Sequence, residues 1–270
     1  MIKILFYLNN MKKMKLLITG SKGFIGTSLI SFLNSDIYEI TGIDIKDKKN
    51  LFDLNSVQGY DAVIHLAALV DVRESFIVSQ PYFYINTLGT YHILNLCIRD
   101  KVRMIHISSA AVKNSYSSPY AYSKFLAEEL VDKMLSTVNG VILRLENVYG
   151  LGMSNQSVFS RFLYDKKMIV YGGEETRDFI SIIDVINIIN AAIFKDWRNM
   201  KLEVGTGVKT KISDLAKKFA RYNNKEIIYE PAIPGVTDSV ANVKDLATVY
   251  FLPFVTNLNV DIENMVFKIN

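Results

Sequence analysis

The sequence predicts an α/β fold, a doubly wound parallel sheet with a smaller C-terminal lobe. Three observations predict it. Short apolar runs alternate with amphipathic stretches of helical length up to about residue 150, the order that places parallel strands in one sheet with helices on both faces. A glycine-rich turn, Gly20-Ser21-Lys22-Gly23-Phe24-Ile25-Gly26, joins the first run to the first amphipathic stretch. Beyond residue 150 the alternation gives way to Gly172-Gly173, Gly205/Gly207 and prolines at 231, 234 and 253, so 151–270 is expected to form a lobe over the sheet.

Residues 1–14 read as an N-terminal extension. Ile2 to Leu8 is apolar, but seven residues cannot span a bilayer, and Met11 and Met14 are plausible alternative starts. Lys15 to Thr19 is the first strand, followed by a helix to about Asn34. Tyr38 to Ile43 is the second strand and ends at Asp44. Ala62 to Leu66 is a strand, Pro81 to Arg99 a long helix, Val102 to Ser108 a strand, Pro119 to Ser136 a helix and Val141 to Leu145 a strand. The dinucleotide-binding domain is assigned to 15–150, with segments to about 200 free to rejoin it. Ligands of such sheets bind at the carboxyl ends of the strands, which here carry Gly20, Asp44, Ala67, Ser108-Ser109 and Asn147.

Composition excludes several functions. At 270 residues and 50% hydrophobic, the chain can bury a sizeable core. Its single Cys97 excludes an internal disulfide, and three histidines in or beside apolar runs give no zinc cluster, so no metal is expected. The net charge of +4 is spread along the chain, without the basic block of a nucleic-acid binder. No stretch is long and apolar enough to cross a membrane, and a cytoplasmic location is the default expectation.

Two constellations carry chemistry. In the glycine-rich turn, Gly20 permits the tight turn, Gly23 lets backbone approach a pyrophosphate, and Gly26 allows close helix-to-strand packing beside the free N–H groups of a helix start. Asp44, eighteen residues after Gly26, can accept both ribose hydroxyls of an adenosine and would repel a 2′-phosphate. NAD is thereby favoured, with NADP left open by Lys46 and Lys48. The second constellation is Ser118-Pro119-Tyr120-Ala121-Tyr122-Ser123-Lys124. Ser118 can cap a helix that Pro119 begins, which puts Tyr120 and Lys124 four residues apart on one face. A phenol usable near neutrality needs a pKa lowered by about three units, roughly 4 kcal/mol, and one cation about 4 Å away supplies approximately that at an effective dielectric of ~20. Such a pair alone is commonly a helix-surface contact; the nucleotide site upstream makes it a candidate acid/base.

Taken in order, Thr19-Gly20-x-x-Gly23-x-x-Gly26, Asp44, Asp53-Leu54, His65-Leu66-Ala67-Ala68, Asn86-Thr87-Leu88-Gly89-Thr90, Ser108-Ser109, Tyr120-x-x-x-Lys124, Leu143-Arg144-x-x-Asn147-Val148-Tyr149-Gly150, Arg177-Asp178-Phe179 and Val204-Gly205-Thr206-Gly207 resemble the extended short-chain dehydrogenase/reductase family over roughly residues 15 to 220. Its nucleotide-sugar epimerase and dehydratase members, of the UDP-glucose 4-epimerase kind, are the nearer match. The resemblance implies a Rossmann domain and a substrate-binding lobe. It implies that Ser109 binds the sugar oxygen, Tyr120 moves its proton and Lys124 holds the nicotinamide ribose. Gly20, Gly23, Phe24, Ile25, Gly26, Asp44, Asp53, Leu54, Ala67 and Asn86 would complete the cofactor site. Asn147 and Arg177 would face the diphosphate of a nucleotide sugar, where a guanidinium fork suits phosphate oxygens. Helices around Tyr82 to Leu96 and Phe125 to Leu135 would pair in a homodimer.

Epimerase and keto-sugar reductase use the same Ser, Tyr and Lys, and both stay open, with Asp44 leaning towards the epimerase. The Asp-Glu pair of family dehydratases is replaced by Ala110-Ala111, which argues against a 4,6-dehydratase. A non-catalytic dinucleotide sensor is the reading from another class. Two departures mark the substrate side: Tyr120 follows Ser109 by only eleven positions, and Lys113-Asn114 stands where many members have Tyr-Gly.

Overall fold

A computed structural model describes residues 12–232 and 238–268; the apolar stretch at Ile2 to Leu8 lies outside them. Runs of β-branched and aliphatic residues form β1 (Met14–Thr19), β2 (Tyr38–Ile43), β3 (Ala62–His65), β4 (Arg103–Ser109), β5 (Val141–Leu145) and β10 (Met200–Val204). They build one six-stranded sheet in the order β10-β5-β4-β3-β1-β2, parallel at every pairing. The chain leaves β1 for β2 on one side and returns to β3 on the other, so the switch point lies at the end of β1.

Alternate strand residues feed two cores. Leu16, Ile18, Ile64, Ile105 and Leu143 pack with α1 (Phe24–Phe32) and α6 (Ile182–Phe194) on one face. Leu17, Val63, Met104 and Ile142 pack on the other face with Ile93, Leu94 and Cys97 of α3 (80–100) and Val131 of α4 (Pro119–Lys133). Helix α3 runs through Gln80–Tyr82, Phe83–Gly89 and Thr90–Asp100. Its middle segment is wound as a π-helix, a distortion that a hydrophobic pattern does not reveal and that is frequent at functional sites. Here it accompanies the inward turn of Asn86, whose amide exchanges hydrogen bonds with the Leu69 backbone and donates to Ser123 Oγ.

After residue 150 the chain is more regular than its sequence suggests. α6 and β10 return to the central sheet, β10 alongside β5. The remainder forms a lobe with its own aromatic core: Tyr149, Phe159, Phe162 and Phe219 stack with Ile262 and Val266. Its elements are β6 (Asn147–Tyr149) with β9 (Phe179–Ser181), β7 (Met168–Tyr171) with β12 (Ile227–Glu230), β8 (Thr176–Arg177) with β11 (Thr210–Lys211), and helices α5 (Val158–Tyr164), α7 (Ile212–Asn223) and α9 (Leu258–Phe267). Helix α2 (Val72–Ile77) closes one rim between sheet and lobe, and α8 (Lys244–Val249) packs back on the central sheet through Leu246. Among the described residues no helix is long and apolar enough to cross a membrane, and no group of three or more His, Cys, Asp or Glu could hold a metal ion.

Candidate active site

At the end of β1 the chain turns through Gly20 at φ +71°, and a Cβ there would lie 2.7 Å from the Ala67 amide nitrogen. Gly26, on the first turn of α1, packs so tightly that a Cβ would overlap the Gly20 carbonyl. Gly23 is the N-cap of α1 and offers no capping side chain. The first-turn amides around Phe24 and Ile25 are therefore open to an anion. Ser and Asp side chains do cap α2 at Asp71, α4 at Ser118, α5 at Ser157 and α6 at Ser181.

Asp44 lies at the end of β2, 9% exposed. It accepts from the backbone N–H of Lys22 (2.8 Å) and of Lys46 (3.0 Å), so the acid also fixes the glycine turn. Lys46 Nζ donates to the Lys22 carbonyl. Asp53 closes a short helical turn (Leu51–Asp53), and the Leu54 carbonyl is fixed by His92 Nε2 at 2.9 Å. The Ala67 amide donates to Thr19 Oγ1 just beyond β3. All of these groups lie at the carboxyl ends of β1, β2 and β3 or in the loops that follow.

On α4, Ser118 Oγ accepts from the Ala121 amide at 3.0 Å with Pro119 in the first turn. Tyr120, Lys124 and Glu128 follow at four-residue spacing, all buried. Lys124 Nζ donates to the Ile107 carbonyl at 2.9 Å, and burial lowers its pKa to about 8 against the opposing pull of Glu128. Glu128 accepts from Ser108 Oγ at 2.6 Å and from the Arg144 guanidinium. The Tyr120 hydroxyl is hydrogen-bonded to Ser109, whose Oγ also accepts the Ala111 amide. Burial holds the Tyr120 phenol above its ordinary pKa, partly offset by Ser109. The lowering by Lys124 expected from the spacing does not govern this arrangement, because burial of the phenol dominates and the ammonium is turned to the Ile107 carbonyl. Ser123 Oγ donates to the Tyr120 carbonyl and receives Asn86, which ties α3 to the turn that carries the phenol.

Ser109 and Tyr120 line a pocket of about 650 Å³ between sheet and lobe, with Asn147 and Arg177 on its wall. An adjoining cavity of about 440 Å³ shares Arg177 and adds Arg161, which lies over the Tyr171 ring. Asn147 Nδ2 donates to the Asp178 carbonyl, and Arg177 Nη1 to that of Thr176. The Asp178 carboxylate faces away, accepting from the amides of Thr206, Gly207 and Ala241. Sequence reasoning missed Glu128 and Glu146. Glu128 had a readable signal, one helical turn past Lys124. Glu146 had none, because its partners Lys113 and Ser239 lie 33 and 93 residues away.

The model of the NAD dependent epimerase/dehydratase family matches residues 16–205. The chain is 28% identical to an ADP-L-glycero-D-manno-heptose-6-epimerase of Cupriavidus pinatubonensis, covering 75% of this chain and 76% of that one. It is 28% identical to a GDP-6-deoxy-D-talose 4-dehydrogenase of Aggregatibacter actinomycetemcomitans, covering 72% and 75%. Among solved structures it is similar to a UDP-glucuronic acid 4-epimerase of Bacillus cereus in complex with UDP-4-deoxy-4-fluoro-glucuronic acid and NAD, with a TM-score of 0.85, 25% identity and coverage of 95% and 100%. Glycine cradle, buried Tyr/Lys row and a match over most of its length together show that this chain is an enzyme of the NAD dependent epimerase/dehydratase family.

Proposed function

We propose that the protein interconverts epimers of a nucleotide-diphosphate sugar through a transient keto-sugar, with Tyr120 as the proton-transfer group. The observation that carries this reading is the hydrogen-bonded Ser109–Tyr120 pair on the wall of a 650 Å³ pocket whose lining also holds Arg177. The residues present fit NAD: a glycine cradle that side chains would fill, uncapped amides at Phe24 and Ile25 for the diphosphate, and Asp44 for the ribose. Asp53, Leu54 and Ala67 would border the adenine side, and Asn86 would brace the helix that carries Lys124. When bound, the nicotinamide supplies the hydride acceptor and donor.

The chain's own residues do the rest. Ser109 Oγ holds the sugar oxygen, Lys124 would hold the nicotinamide ribose, and the positive charge of the oxidised nicotinamide would favour the Tyr120 phenolate, so that Tyr120 takes the sugar proton on oxidation and returns it on reduction. Arg177 and Asn147 bind the diphosphate and anchor the sugar while its ring turns over. Ala110 and Ala111 supply no carboxylate for elimination, which favours hydride return over loss of water. A keto-sugar reductase uses the same residues, and the similarity to a 4-dehydrogenase keeps it as the second reading.

Protein purified without added nucleotide is expected to release near-stoichiometric NAD(H) on denaturation and to interconvert nucleotide hexoses. An empty site that prefers NADPH overturns the epimerase in favour of the reductase. Tyr84, Leu88 and Tyr91, each about half exposed along one stripe of α3, support a homodimer. Sedimentation as a monomer at micromolar concentration would end that part. The reduced, buried Cys97 fits a cytoplasmic location, testable by cell fractionation.

A further inference from the structure

We propose that the Lys113–Glu146–Glu203 cluster makes this pocket select a nucleotide sugar with an uncharged reacting ring over one that carries a carboxylate. The inference rests on the nucleotide-sugar reading above and narrows its substrate class.

Ser109 pairs with Leu145 in the β4–β5 register, so Glu146 lies one residue beyond the partner of the sugar-binding serine. Lys113 lies on the short turn Ala110–Ser117 that leads from Ser109 to Tyr120. Lys113, Glu146, Asp238 and Ser239 all line the pocket that holds Ser109 and Tyr120. Substituents flanking the reacting carbinol therefore meet this wall.

Lys113 Nζ donates to Glu146 Oε1 (2.8 Å), Glu203 Oε2 (2.9 Å) and the Val240 carbonyl (2.9 Å), which uses all three protons of the ammonium. Ser239 Oγ donates to Glu146 Oε2, and the Asn242 amide to Glu203 Oε2. Arg144, 3.7 Å from Glu203, is committed to Glu128. The Lys113 ammonium thus faces Glu146 and Glu203, the latter also 3.7 Å from Arg144, and Asp238 is the second carboxylate on the pocket lining beside Glu146. Arg73 and Arg177 also line the pocket, with Arg177 proposed to bind the diphosphate; at the Lys113 corner an arriving carboxylate finds no donor left on the ammonium and the carboxylates of Glu146 and Glu203 beside it, in a partly desolvated site where like charges act strongly. A hydroxyl or hydroxymethyl group meets no such opposition.

The test is calorimetric titration of the NAD-loaded enzyme with UDP-glucose and with UDP-glucuronate, repeated on Glu203→Gln and Glu146→Gln, with interconversion followed on the same samples. The wild type is expected to bind the hexose at least 100-fold more tightly. That ratio should shrink at least tenfold in Glu203→Gln, whose side chain is partly exposed, with UDP affinity unchanged. Glu146→Gln should act in the same direction and serves as the second variant. Equal binding, tighter binding of the uronate, or an unchanged ratio in a folded variant overturns the proposal. Selective hexose binding without interconversion removes the epimerase reading and leaves the selectivity standing. No binding of either at millimolar concentration overturns both.

Discussion

The glycine turn, proposed as the cofactor cradle, and the charged wall of the pocket, proposed to meet the substrate, both lie at the carboxyl ends of the central strands and are built from opposite materials. The cradle is backbone: Gly20, Gly23 and Gly26 bring main chain against main chain, and the groups offered to a ligand are amides. The wall is ionised side chain, with Lys113 bonded to residues 33, 90 and 127 positions away. A backbone cradle admits one ligand shape, and a single added Cβ spoils it. A charged wall can be rewritten by one substitution while the fold stands.

The largest expected effect lies where the two regions meet. Tyr120→Phe removes the oxygen proposed to transfer the proton and keeps the ring, which packs edge-on against Tyr82. Turnover should fall by about 10³-fold, on the order of 4 kcal/mol in the barrier, with NAD content and nucleotide-sugar binding retained. Loss of binding along with turnover would mean that cradle and wall are not separable. Gly26→Ala should strike the cradle alone, because the new methyl overlaps the Gly20 carbonyl. Retained NAD should drop about 100-fold, near 3 kcal/mol, with UDP affinity little changed. Full NAD content in that variant would show that the turn can relax and that close packing does not define the site.

Arg177→Gln is the matching probe of the substrate side. Its guanidinium lies on the lining shared by both cavities, and its removal should weaken UDP binding 10- to 100-fold, roughly 1.4–2.8 kcal/mol, while NAD content holds. Calorimetry with UDP and with NAD measures both sides, and equal losses in the two would break the comparison.

The same contrast explains what the sequence discloses. Strands β2 and β5 and the caps of α4 are legible because apolar runs and Ser-Pro act locally, within a few residues. The glycine turn is legible because its function is conformational and contiguous. The π-wound middle of α3 leaves the apolar period of a helix in place, so nothing in the pattern marks it. Helix α6 and strand β10 hide behind the irregular composition after residue 150, since their place depends on the distant partner β5. Glu146 is unreadable for the same reason, its neutralisation depending on Lys113 and Ser239. The pKa of Tyr120 escapes sequence because burial, a property of the whole fold, opposes the charge neighbour that spacing suggests.

Two stacked histidines beneath the junction sharpen the comparison further. His65 belongs to the cradle strand and is fully engaged, with Thr19 Oγ1 2.7 Å from Nδ1 and Thr90 Oγ1 3.0 Å from Nε2. His106, on β4 and 5.7 Å away ring to ring, has no hydrogen-bond partner on either nitrogen. Burial first, then the Lys124 charge, lowers the pKa of His65 to about 3, and the same causes together with His65 hold His106 well below its ordinary value. Both are therefore neutral in the folded protein while the unfolded chain takes up protons below about pH 6.5. Each should leave stability intact above that pH and remove about 1.4 kcal/mol per pH unit as the pH falls through the window beneath it. From pH 7.5 to 5 the pair should cost about 4 kcal/mol, and His106→Leu, which gives up no hydrogen bond, should halve that to about 2 kcal/mol. Urea unfolding at pH 7.5, 6 and 5 reads the slope directly. A variant slope equal to that of the wild type would mean that His106 is protonated inside the fold and that the β4 side of the junction carries a charge the cradle side does not.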